Sequence, residues 1–300
     1  MKTQLPPRDI QALVERAIGA VSEFEPLPEG LESQTFGFRQ GSARYVARVG
    51  RTAHGYHKDA FAWRAFSSAA LPIPEIVSIE TFGEVSVCVS RRAAGVRLRD
   101  VAGDPGALAS TVLDILAELG RTDTGATTGY GSFDASGVAP FRTWRDYLLA
   151  AAAPGFCDWT LVREQADRRR IEAAIGAVER LAPADPAARG LIHGDFGSAN
   201  LISDGRAITA VIDWDRALIG DPVYDQANLF FWGETHLRPV VARLTAEHAA
   251  DADWAHRLAG YQLRICLQEL SETLAGVNPV DRQWLLARCA ELVDQAGRLD

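Results

Sequence analysis

The residues best able to do chemistry lie in one stretch, Leu191 to Phe231, where acids and an amide alternate with apolar runs. Leu191-Ile192 is a short apolar approach that delivers His193, Asp195 and Asn200 on a loop. Ser203–Arg206 reads as a turn, and Ile208 to Ile212 as an apolar strand ending at Asp213; Asp221 and Asp225 follow. A carboxylate at a strand tip, beside a loop carrying a second aspartate and an asparagine, suits phosphoryl transfer. Magnesium takes hard oxygen ligands, typically one or two carboxylates plus phosphate oxygens. The second carboxylate can orient an attacking hydroxyl and accept its proton, in a reaction governed by positioning and charge neutralisation. On this reading Asp195 is the base, and Asn200 and Asp213 hold the metal. Taken alone, Asp195 reads as a turn or N-cap aspartate; the constellation gives it weight. His193 has no second His or Cys at ligand spacing, so it is not read as a zinc ligand.

The elements that must position these residues divide the chain. Arg8 to Val21 has helical apolar spacing, Thr35–Arg39 and Arg44–Val49 read as a hairpin, Asp59 to Ala70 as a helix and Glu84 to Ser90 as a strand. Leu71-Pro72-Ile73-Pro74 ends that helix, because neither proline can continue it. From about Ala93 the pattern becomes mostly helical, over Ala107–Gly120, Arg142–Ala153, Arg163–Leu181, Trp254–Ala275 and Pro279–Ala296. The expectation is an α+β chain of two lobes, a small mixed β-sheet lobe over residues 1–92 and a larger, mostly helical lobe over 93–300. At 300 residues the length favours two units of ordinary domain size.

Composition narrows the partners. Hydrophobic residues make up 47% and charged residues 23%, enough to bury a core. The net charge of −8 argues against a nucleic-acid surface, which needs a basic face. The charge is uneven: residues 1–92 carry 11 basic and 10 acidic side chains, and the remainder carry 20 and 29. Four scattered cysteines lack metal spacing; Cys88, Cys266 and Cys289 sit in apolar runs and read as buried thiols. The N-terminus lacks an apolar signal core, and no run reaches the ~18–20 apolar residues of a membrane span. The expectation is a cytoplasmic, monomeric protein with neither nucleic-acid nor membrane partners.

The order His-Gly-Asp, four residues, Asn, then Ile-Asp resembles the aminoglycoside phosphotransferase family, which shares the bilobal fold of protein kinases. His193, Asp195 and Asn200 match its H-x-D-x-x-x-x-N loop, Asp213 its strand-end metal aspartate, and Gly220-Asp221 with Tyr224-Asp225 its later G-D…Y-D element. The runs EGLESQTFGF, HGYHKDAFAWRAFSSAALPIPE, SRRAAGV, TWRDYL and HGDFGSANLISDGRAITAVIDW extend the likeness over most of the chain, from about Glu29 to about Leu270.

The resemblance implies ATP, with GTP as the other candidate donor, Mg²⁺, and transfer of the γ-phosphate to a hydroxyl of a cationic aminocyclitol antibiotic. The rival acceptors are another aminoglycoside, a macrolide or a choline-like metabolite; a silent nucleotide-binding pseudokinase is the rival outside catalysis. His193 is then a brace for the catalytic loop, and Asp225 a hydrogen-bonding support for buried backbone. For the nucleotide, Ser33 lies in a turn entering the first hairpin. Arg48 stands where kinases place a lysine, with Asp59 as its acidic partner. Lys58 is either a phosphate contact or a solvated helix residue. The joint at Ser90–Ala93, including Arg92, offers backbone groups to adenine. No Walker A or dinucleotide fingerprint occurs. For the polycationic acceptor the candidates are Asp215, Glu234, Glu269 and Glu272, with Trp232 as a stacking surface or simply core.

Overall fold

A computed structural model describes residues 2–183 and 189–299. The elements begin with α1 (Pro7–Ile18), β1 (Ser22–Pro26), β2 (Gln34–Gln40), β3 (Ala43–Gly50), α2 (His54–Phe66), β4 (Ile76–Phe82), β5 (Val85–Arg91) and β6 (Val96–Arg97). They continue with α3 (Ala109–Arg121), β7 (Gly131–Ser132), α4 (Trp144–Leu149), α5 (Gln165–Leu181), β8 (Gly190–Ile192), β9 (Leu201–Ser203), β10 (Ile208–Val211) and β11 (Leu218–Gly220). Helices α6 (Val223–Trp232), α7 (Arg238–Glu247), α8 (Ala252–Leu274) and α9 (Arg282–Ala296) follow.

The chain folds as two compact units. The first comprises Met1–Gly103, Asp134–Gly137 and Ala199–Arg216; the second comprises Asp104–Phe133, Val138–Ser198 and Ala217–Asp300. The division therefore differs from a single cut at residue 92, and it also falls between Ser198 and Ala199. The cause is a small sheet ordered β10-β9-β6, in which Val96 pairs with Ser203 and Arg97 with Ile202. Gly95 permits that approach. Its φ is +107°, and a Cβ there would lie 1.9 Å from the Ser203 carbonyl oxygen, so only glycine fits.

The main sheet of the first unit has the order β1-β2-β3-β5-β4. It is antiparallel throughout, not mixed; tight turns join β2 to β3 and β4 to β5, while α2 and β4 separate the neighbours β3 and β5 in sequence. Tyr45, Ala47 and Val49 alternate onto one face of β3, where they meet Phe36, Phe38, Val87, Val89 and the α1 residues Ile10 and Val14 in a buried cluster. Truncating Phe36 to alanine should cost about 3–5 kcal/mol, the usual range for a buried aromatic. Helix α1 stops at Gly19, short of the expected Val21, and β1 uses the residues that follow. Helix α2 starts five residues before its expected start and buries Lys58, Asp59, Ala62 and Phe66 along one face.

The second unit is built on α8, whose middle is buried nearly all round. Helices α5, α6 and α9 pack about it, with Tyr224, Phe231, Leu263, Cys266 and Leu285 in the shared core. Caps fix the helix starts: Asp251 accepts from the Trp254 N–H at 3.0 Å, and Thr143 with Asp146 forms a capping box on α4. Strand β11 lies between β7 and β8, and Leu218 pairs with Ile192. Gly220 ends β11 directly against Trp144, whose ring would lie 2.2 Å from an added Cβ. Among the described residues no helix is long and apolar enough to cross a membrane.

Candidate active site

In the second unit, β8 carries the apolar pair Leu191-Ile192 into the interior and releases the chain at His193, which is fully buried. Asp225, on the first turn of α6, accepts the His193 N–H at 2.7 Å with one oxygen and the Gly194 N–H at 2.9 Å with the other. Gly194 has φ +79°, so the chain reverses immediately after the histidine. The Asp195 N–H then points to His193 Nδ1 at 3.3 Å. Asp195 itself remains half-buried. Burial pushes the Asp225 carboxyl up to about 6, against the opposing pull of His193 and the two N–H donors.

The far end of this loop is tied down as well. Glu234, just beyond α6, accepts both the backbone N–H of Ser198, at 3.1 Å, and its hydroxyl. Gly197 makes room for that carboxylate; a Cβ there would lie 2.6 Å from it. Expected as an acceptor contact, Glu234 is thus committed to the loop that carries Asp195.

The other acids of this unit have partners of their own. Asp221 accepts the Tyr261 hydroxyl at 2.7 Å and pairs with Arg257 at 3.0 Å, while Trp144 Nε1 donates to the same Tyr261 oxygen at 3.0 Å. Glu269 is buried, and its Oε2 accepts from Asn278 Nδ2 at 2.7 Å; that bond closes the α8–α9 turn. Glu272 accepts from Gln268 Nε2 at 2.8 Å, one turn back along α8. Trp232 stacks on Trp284, ring centroids 5.7 Å apart and planes within 7°. Glu269 and Trp232, expected at the acceptor, are therefore engaged in packing within the helical unit.

In the first unit, β9 and β10 form a hairpin. Its register pairs Val211 with Leu201, and the Ile212 N–H donates to the Asn200 carbonyl at 2.9 Å. Asn200 and Asp213 consequently leave the same end of one hairpin. Asp213 has φ +68° and is exposed. Aspartate is one of the few non-glycine residues that tolerates this left-handed region. An amide oxygen and a carboxylate on adjacent strand ends form the hard-oxygen donor set that suits magnesium.

Helix α2 and strand β3 flank that hairpin end within the same unit. Arg48 on β3 forms an ion pair with Asp59 Oδ2. Burial opposes the Arg48 charge, but Asp59, with smaller help from Asp213, holds it well above the ordinary guanidinium value. The other Asp59 oxygen accepts the Trp214 N–H at 2.7 Å. Lys58 is not a solvated helix residue: it is buried, and Nζ donates to the Asp215 carbonyl at 2.6 Å. Burial lowers its amine to about 8, despite Asp215, Asp59 and Asp134 nearby. The signal for this inward face lay in the sequence, since residues 58, 59, 62 and 66 follow the i, i+3, i+4 spacing of one helix stripe.

The remaining nucleotide candidates lie in the same unit. The Ser33 side chain meets the Tyr56 hydroxyl. Ser90 is in the middle of the sheet, paired across to Val46. Arg92 pairs with Glu25 at 2.7 Å, and a Cβ on Gly37 would lie 2.6 Å from its guanidinium.

Residues 23–260 match the phosphotransferase enzyme family. The chain belongs to that family. It is 35% identical to the hygromycin-B 4-O-kinase of Escherichia coli, over 97% of this chain and 86% of the relative. A ternary complex of a thermostable mutant of aminoglycoside phosphotransferase APH(4)-Ia with AMP-PNP and hygromycin B superposes with a TM-score of 0.89 at 35% identity, covering 96% of this chain and 98% of that one. The APH(4)-Ia structure itself gives 0.89 at 34% identity, over 97% and 99% of the two chains.

Proposed function

We propose that this phosphotransferase is an ATP- and magnesium-dependent kinase that phosphorylates a hydroxyl of hygromycin B or a close aminocyclitol aminoglycoside. The observation that carries this reading is the 35% identity to a hygromycin-B 4-O-kinase over 97% of the chain. The surviving Asp195, Asn200 and Asp213 support a catalytic rather than a silent member. Such a modification adds negative charge to a cationic drug and would confer resistance to it.

Asp195 accepts the hydrogen of the acceptor hydroxyl and orients that oxygen for attack. Its loop is held at both ends, by Asp225 at His193-Gly194 and by Glu234 at Ser198, so little of the binding energy goes into ordering it. Asn200 and Asp213 would hold magnesium through oxygen atoms. When bound, the metal neutralises charge on the nucleotide phosphates. Arg48, kept charged by Asp59, offers a planar fork to phosphate where kinases use a lysine. Asp215 is the acceptor candidate best placed to keep its carboxylate available, because its link to Lys58 uses the backbone carbonyl.

The test is a panel of aminoglycosides, macrolides and small alcohol metabolites with ATP, read by mass spectrometry, with the position of the new phosphate mapped on the product. Phosphorylation of hygromycin B at one hydroxyl is expected. Efficient turnover of a metabolite with none of hygromycin B would overturn the acceptor assignment.

A further inference from the structure

Two consecutive residues of α2 grip the turn that carries Asp213. Asp59 accepts the Trp214 N–H at 2.7 Å, and Lys58 donates to the Asp215 carbonyl at 2.6 Å. On the preceding side, the Ile212 N–H is bound to the Asn200 carbonyl at 2.9 Å, and Trp214 Nε1 closes on the Val211 carbonyl at 3.0 Å. The backbone of residues 212, 214 and 215 is therefore fixed, and Asp213 between them is held at φ +68°. That conformation is uncommon outside glycine and persists only where its surroundings over-determine it. Gly55 of the same helix leaves room for the Asp215 side chain: a Cβ there would lie 2.9 Å from Asp215 Oδ1.

Burying an ammonium and a carboxylate side by side is a poor way to gain stability, because desolvation offsets most of the attraction. Lys58 and Asp59 are 1% and 4% exposed, and each is aimed at a backbone group of the same turn.

We propose that Lys58 acts together with Asp59, the acidic partner of Arg48, as a positioning residue for Asp213, each through the backbone of the turn beside it. This rests on the reading of Asp213 as a magnesium holder. Neither residue is proposed to touch the metal. They act through the backbone, as outer partners do around other metal sites, where losing one typically lowers metal affinity ~10–100-fold.

The experiment measures AMP-PNP binding by calorimetry, with magnesium and with EDTA, so that the readout is the gain in nucleotide affinity due to the metal. Lys58→Met keeps the length and apolar stem and removes the donor. It should cut that gain by about tenfold or more, with the EDTA affinity, far-UV circular dichroism and melting temperature near wild type. An unchanged gain in folded Lys58→Met would overturn the proposal. If Lys58→Met does not fold, Asp59→Asn carries the same criterion: its gain should fall, and an unchanged gain would overturn the proposal. Asp213→Asn separates the two layers. If Asp213→Asn leaves the gain intact, the magnesium reading itself fails and the proposal with it. If it abolishes the gain while Lys58→Met and Asp59→Asn do not reduce it, only the positioning role is wrong.

Discussion

The backbone N–H of His193 donates to Asp225 Oδ2 at 2.7 Å, and both groups are buried. The carboxylate thereby ties β8 to α6 at the point where the loop carrying Asp195 begins, and burial raises it to about 6. Between its ordinary value of 3.8 and about 6, the native protein holds a proton that the unfolded chain has released. Raising the pH through that window therefore favours unfolding. In Asp225→Asn this titration is absent. The stability of wild type relative to the variant should fall by on the order of 3 kcal/mol from pH 4 to pH 7. Denaturant melts of both proteins at the two pH values check it; a difference that stays flat contradicts the buried titration.

Asp195→Asn keeps the shape of the loop and removes the proton acceptor. Turnover should drop by ~100-fold or more, the usual scale for general base catalysis. AMP-PNP affinity with magnesium should stay close to wild type. Steady-state kinetics and calorimetry decide it, and near-normal turnover would remove Asp195 from the role of base.

Asp213 combines the carboxylate proposed to hold magnesium with left-handed backbone, and two substitutions separate these. Asp213→Gly and Asp213→Ala should both weaken the magnesium dependence of turnover. Only alanine should lose stability through the backbone, by about 1 kcal/mol relative to glycine, since its Cβ meets the following carbonyl at positive φ. Magnesium titrations and thermal melts give the two readouts. Equal stability of the two variants would argue against a strained turn.

Glu234 distinguishes loop support from acceptor binding. Glu234→Ala leaves the buried Ser198 N–H without its carboxylate, so the loop carrying Asp195 loosens. kcat should fall by about tenfold, the effect of losing roughly 1.4 kcal/mol at the transition state, while KM for hygromycin B changes little. A large rise in KM with unchanged kcat would place the carboxylate on the drug instead.

Local sequence determined much of this protein. The order and types of His193, Asp195, Asn200, Asp213 and Asp225 are legible as one constellation, because the proposed phosphoryl transfer needs carboxylates and an amide on a loop and a strand end. Alternation in β3 and helical stripes in α1, α5 and α9 are equally legible, because burying one face imposes its period on the sequence. Short or weakly periodic elements, β1, β4, α6 and α7 among them, leave no such period, and α2 begins earlier than its pattern suggests. Tertiary structure decided where the charges went. Glu234, Glu269 and Lys58 look alike in sequence, as polar residues near functional runs. Each proves to be committed to a specific backbone or side-chain partner far along the chain or across a turn. The boundary between units followed the same rule, since β6 belongs where its hydrogen-bonding edge finds β9, not where the composition changes. Periodicity reports which face is buried. What satisfies a buried charge depends on the group the fold brings opposite it, and pairings such as Lys58 with Asp215, 157 positions apart, leave no periodic trace.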